Sequence, residues 1–159
     1  MLVAILLQVF LFNHINLWGY ALPLLGAMVL FHTTLDAGCI GNMFMAFVTG
    51  LVLDAFSNTP GVAAGALTAT AFVQHFLLRA MAPKDAVEDA VVDRFLLGQY
   101  KYFWYVAILL AVHHLAYFLL EAFTFFNLPD IALRCAGSYA LSLLLAWGME
   151  MLRPGKTQQ

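Results

Sequence analysis

The stretch "LVLDAFSNTPG" (residues 51–61) lies between two apolar runs, "IGNMFMAFVTG" (40–50) and "VAAGALTATAF" (62–72). It sets a carboxylate, Asp54, inside an apolar segment, with Pro60 and Gly61 six and seven residues later. A carboxylate in apolar surroundings is costly unless it is paired or hydrogen-bonded. Ser57, Asn58, Thr59 and the amides that open the next segment can all donate to Asp54, which would make it the cap of a tight turn. A partner-facing role and a proton relay are the other two readings of this residue, the relay requiring a second acid in the same layer. Pro60 and Gly61 suit a turn that ends one helix and starts another. The stretch therefore reads as the bend of a helical hairpin.

Composition extends this reading to the whole chain. The 159 residues are 64% hydrophobic and 10% charged, against roughly 25% charged in soluble domains. Mean hydropathy is +0.87. Such a chain cannot cover a water-facing surface, and a bilayer is the solvent it suits. Period-two alternation is absent, so a helical bundle is expected rather than a barrel. With about 20 residues per span, six spans fill most of the chain, at about 1–13, 21–35, 39–56, 61–81, 100–123 and 131–152. The expected fold is an all-α integral membrane protein with one transmembrane domain over 1–152 and a polar tail at 153–159. The start, "MLVAILLQVFLF", has no basic n-region and no small-residue cleavage site, so it reads as a first span, short or clipped. Cys39 and Cys135 are isolated in apolar contexts and read as small buried hydrophobes.

Basic residues set the orientation. Arg79, Lys84, Arg94 and Lys101 flank one connection, and Arg153 and Lys156 follow the last span. The positive-inside rule places both regions, and with six spans both termini, in the cytoplasm. The opposite turns at 13–20, 57–60 and 124–130 contain no Lys or Arg. Within the basic connection, Val87, Val91 and Phe95 recur at i, i+4 and i+8 among acidic residues. That spacing predicts an amphipathic surface helix over about 84–97. In the segment after the bend, Gly61, Gly65 and Ala69 recur every four residues, with Ala64, Thr68 and Ala71 nearby. Small residues at that spacing let membrane helices approach closely, within the chain or with a partner. On this reading Gly61→Leu or Gly65→Leu is expected to do more damage than Asp54→Asn.

At this point the chain resembles a family. "GLVLDAFSNTPG" (50–61) is similar to the signature of the rod shape-determining protein MreD, with Gly, three apolar residues, Asp, a small polar turn and Pro-Gly before an alanine-rich helix. "LLQVFLFNHINLWGYALP" (6–23) resembles the opening of MreD proteins of the Bacteroidota type. The chain departs from the family at "MLVAILL" and "HTTLDAG", where basic residues are usual. The resemblance implies an inner-membrane component of the cell-elongation machinery, supporting peptidoglycan synthesis and cell shape. Its implied partners are MreC, the actin-like MreB, the SEDS-type glycosyltransferase and the class B penicillin-binding transpeptidase, besides membrane lipid. It also implies a fold similar to the substrate-binding subunits of energy-coupling-factor transporters. Asp54, Pro60 and Gly61 match the motif and carry over as structural or interaction residues, joined by Gly65 and Ala69 from the small-residue pattern. The family has no established catalytic residues to carry over.

Two other readings compete. An enzyme needs a constellation, and His113-His114 is the best pair in the chain. Adjacent helical residues point about 100° apart, so two neighbours do not readily share a metal. His14, His32 and His75 are isolated, and no phosphate loop, HExxH or nucleophile elbow occurs. No enzyme activity, cofactor, metal or nucleic-acid partner is expected. The alternative function is a membrane substrate-binding subunit of a vitamin-type transporter. It would need polar groups converging beneath the outer face, and Asn13, Asn58, Asn127 and Glu121 are the sequence's candidates.

Overall fold

A computed structural model describes residues 38–57, 59–83, 91–122 and 128–151. The expected first two spans, the 13–20 turn, residues 84–90, Asn127 and the tail lie outside the described residues. Within them the elements are helices: α1 (Cys39–Ser57), α2 (Val62–Met81), the short α3 (Arg94–Leu97), α4 (Gln99–Glu121) and α5 (Leu128–Met151). No strand occurs among the described residues. Helices α1 and α4 are long and apolar enough to cross a membrane.

The helices pack in a row. α1 lies on α2, α2 on α4, and α4 on α5, with α3 folded against α4. The centre is α4, whose Tyr105, Leu109, Leu110 and His114 are almost fully buried. α1 is different in kind. It buries a narrow stripe at Ala46, Thr49, Gly50, Leu53 and Asp54, while Phe44, Val48 and Leu51 are exposed and Ile40 is 84% exposed. A helix apolar on both its packed and its open faces matches lipid on the open side.

Four expected spans, 39–56, 61–81, 100–123 and 131–152, fall on α1, α2, α4 and α5, and three expectations need correction. First, α5 begins at Leu128, so Pro129 sits in its first turn and not in a preceding loop. Proline is favoured there because its missing N–H has no intrahelical partner to lose. Second, the amphipathic helix expected over 84–97 is, in its described part, only Arg94–Leu97. Asp93 stops it from extending backward: its carboxylate accepts from the Phe95 and Leu96 amides at 3.0 and 2.9 Å, so Asp93 is an N-cap. Its apolar face also differs, since Val92 and Leu97 are buried while Phe95 is 60% exposed.

Third, the close approach between α1 and α2 is made by another glycine. Gly61 and Ala69 are exposed, and Gly65 faces α4, where an added Cβ would meet the tip of Leu120 at 2.8 Å. At Gly50 an added Cβ would lie 2.6 Å from the Ala64 amide nitrogen and 2.8 Å from the Ala63 carbonyl oxygen, and would overlap the Ala64 Cα. These are backbone atoms and cannot swing aside. Gly61 is needed for a different reason: it has φ +84°, a conformation that other residues adopt only with strain.

Candidate functional site

The turn is built around Asp54. Gly61 occupies the N-cap position of α2 and has no side chain with which to cap it. The first amides of any helix lack intrahelical acceptors. Asp54 supplies them from the neighbouring helix. Its Oδ1 accepts from the Ala63 amide at 2.8 Å and from the Thr59 hydroxyl at 3.0 Å, and its Oδ2 accepts from the Ala64 amide at 3.0 Å. The Thr59 amide closes the turn onto the Asp54 carbonyl at 3.4 Å. Asp54 is buried, yet three donors and the positive end of α2 face it, which is how an anion is held in apolar surroundings.

Gly50 and Asp54 act on the same two residues. Gly50 lets the α2 backbone come close at Ala63 and Ala64, and Asp54 bonds the amides of that same pair. Glycine, carboxylate, turn and left-handed glycine thus form one lock between α1 and α2. Thr59 takes part through its hydroxyl, while Pro60 lies exposed in the turn.

A column of buried polar groups follows α4 away from this lock. The Tyr117 hydroxyl is turned toward Thr59, and the Tyr117 ring lies 6.3 Å from that of His113. His114 bonds the Leu110 carbonyl through Nδ1 at 2.8 Å and the Ser142 hydroxyl through Nε2 at 3.1 Å. Tyr139 donates to the Ala107 carbonyl at 3.3 Å. Farther along, Asn42 donates to Gln74 at 2.8 Å, and Gln74 donates to the Tyr105 hydroxyl at 2.7 Å. That tie joins α1, α2 and α4 through a glutamine with no exposed surface.

His113 is the exception in this column. It lies against the Ala66 carbonyl, but its Nδ1 is buried without a hydrogen-bond partner. The two histidine rings stand at 90° with centroids 5.8 Å apart, so they do not form a chelating pair. Among the described residues no group of three His, Cys, Asp or Glu side chains could hold a metal. Glu121 is exposed at the end of α4, within electrostatic reach of Arg134 on α5.

Of the residues singled out by sequence, the structure joins Asp54 to the turn and sets Gly65 on α4. Pro60, Gly61 and Ala69 remain open on the surface. Sequence reasoning missed Gly50 as a contact, and missed the Asn42–Gln74–Tyr105 tie. The available signal was the rarity of Asn42 and Gln74, amides set within apolar spans. No protein-family profile, curated protein or solved structure matches the chain.

Proposed function

We propose that this chain is a non-enzymatic component of a bacterial cell-elongation complex in the inner membrane, of the MreD type. In this reading it spans the membrane six times with both termini in the cytoplasm. It supports lateral peptidoglycan synthesis through MreC, MreB, the SEDS-type glycosyltransferase and the class B penicillin-binding transpeptidase. The observation that carries the reading is the lock. The signature-like stretch at 50–61 is not a set of unrelated residues: Gly50 and Asp54 hold the same two residues of α2, and Gly61 provides the backbone turn between them. A rigid hairpin is what a scaffolding subunit needs in order to present a fixed surface. The orientation is supported by Arg79, Arg94 and Lys101, which lie at one end of the helices. Arg134 lies toward the other end, opposite Glu121.

A second reading has its own observation. Next to the Tyr117 ring, His113 Nδ1 is buried without a partner, a polar atom that a bound small molecule of a vitamin-type transporter subunit could satisfy. Asp54 offers less to a ligand, because its two oxygens already accept three bonds. Isolation of the tagged full chain from native membranes separates the two readings. Recovery of MreC supports the elongation role. Recovery of a coupling ATPase module without MreC overturns it in favour of transport.

A further inference from the structure

Toward its C-terminal end, α2 buries Ala71, Gln74 and Leu78 in the bundle. On its other side Phe72, Phe76 and Arg79 are exposed and His75 is half-buried. These four fall at i, i+3, i+4 and i+7, so they form one stripe along the helix. The Phe72 and Phe76 rings meet edge to face at 5.0 Å, and His75 stands edge-on to Phe76 at 5.9 Å. Among the described residues no side chain pairs with the Arg79 guanidinium or hydrogen-bonds the His75 ring. The tie between Gln74 and Tyr105 sets the depth of this stripe. Gly65 meets Leu120 and Gln74 meets Tyr105, so α2 and α4 run antiparallel. Arg79 is five residues past Gln74 and Tyr100 is five before Tyr105, which places the two at about the same level. Tyr100 is 76% exposed and Trp104 is also open, as aromatic residues are at the headgroup level of a membrane.

We infer that this stripe holds an anionic glycerophospholipid, with Arg79 and His75 donating to its phosphate and an acyl chain lying along Phe76 and Phe72. Charge and depth together select that occupant. Arg79, in the last turn of α2, is a cation whose five N–H donors form a planar fork that matches phosphate oxygens. His75 supplies one more N–H, about 6 Å deeper along the helix axis at 1.5 Å per residue. A polar ring without a partner is costly at that depth. A hydrated anion would have to shed its water to reach it, whereas the phosphate and glycerol of a lipid lie there already. Phe72 is about 10 Å deeper than Arg79, where headgroup gives way to acyl chain. A carboxylate on a partner helix would suit the same two donors. The exposed phenylalanine pair, however, offers such a helix no small-residue surface for close approach. Basic residues at the end of a span are drawn to the anionic lipids of the adjacent leaflet.

This site rests on the membrane reading, and its test keeps the two apart. Alkaline carbonate washing of membranes comes first: release of the chain would overturn both. Full-length protein in neutral detergent is then titrated with phosphatidylglycerol or phosphatidylcholine and bound lipid is read by native mass spectrometry. Arg79→Gln is expected to weaken phosphatidylglycerol binding about tenfold, as loss of a charge-assisted contact implies. His75→Leu should weaken it about threefold, the loss of one hydrogen bond. His75→Gln, which keeps an N–H donor, should fall between His75→Leu and the unaltered chain. Arg134→Gln, which removes an exposed cation at the other end of the bundle, should bind like the unaltered chain. Phosphatidylcholine, whose phosphate is offset by its own cation, should bind the unaltered chain more weakly than phosphatidylglycerol does. Excess inorganic phosphate should not displace the lipid. Unchanged binding in a folded Arg79→Gln, an equal loss in Arg134→Gln, equal binding of the two lipids, or displacement by inorganic phosphate would each overturn the assignment. Should Arg79→Gln fail to fold, Ala80→Glu, which sets a negative charge at the exposed neighbouring position, decides alone: unchanged binding there overturns it.

Discussion

Gly50 has room for a hydrogen atom and nothing more, because the α2 backbone occupies the place of its Cβ. Gly50→Ala is therefore expected to destabilise the protein by about 1–3 kcal/mol, the usual cost of overpacking. Gly65→Ala should stay within about 1 kcal/mol of the unaltered chain, since only the tip of Leu120 must move and helix propensity improves. Thermal unfolding in detergent checks the order; a harmless Gly50→Ala beside an unfolded Gly65→Ala would refute it. The structure also revises the expectation for Asp54→Asn. Both carboxylate oxygens accept backbone amides, so an asparagine must point its own NH₂ at one of those N–H groups. The cost rises to about 1–3 kcal/mol, that of a buried donor left unsatisfied. His113 is balanced differently. His113→Leu removes a buried Nδ1 that has no partner together with the bond to the Ala66 carbonyl, so stability should change by no more than about 1 kcal/mol in either direction. A loss well beyond that would mean that His113 makes a further bond. A stable His113→Leu that no longer functions would mark His113 as part of a ligand or proton site.

Between helices, the Asn42–Gln74–Tyr105 tie fixes the register of α1, α2 and α4. Gln74→Leu removes the two bonds of the tie at once, to Asn42 and to the Tyr105 hydroxyl. The expected loss is roughly 1 kcal/mol per bond, in line with hydrogen bonds inside other membrane bundles. Abundance in membranes and protease resistance report it, and resistance equal to that of the unaltered chain would show that apolar packing alone sets the register. The ends of α1, α2 and α4 were legible because apolar runs stop at turn-forming residues, as at 57–61, whereas the expected start of α5 falls too late because it counts Pro129 in the turn. What a helix faces was not legible. Gly50, Gly61 and Gly65 look alike along the chain, but helical phase sends them to α2, to the surface and to α4. The spacing of Val87, Val91 and Phe95 was sound as periodicity, yet Asp93 bonds the amides that follow it and starts α3 there. The acceptor role of Asp54 could be read from its distance to the turn. Its donors were also legible as a set, Ser57, Asn58, Thr59 and the amides opening the next helix, and the fold picks Thr59, Ala63 and Ala64 from that set.

For the whole molecule, the proposed six spans with cytoplasmic termini make a simple demand. A reporter active only outside the cytoplasm, fused after Gln159, should remain silent; activity there would require an odd number of spans or an inverted bundle. Topology alone does not separate an elongation subunit from a transport subunit, because both can share it. Physiology does. The deciding measurement is cell width during depletion of this protein in the rod-shaped cells that make it, with uptake of small nutrients followed in the same culture. Widening and rounding with uptake unchanged is the predicted result. Rods that keep their shape while acquiring a requirement for one small molecule would contradict the elongation role and point to transport.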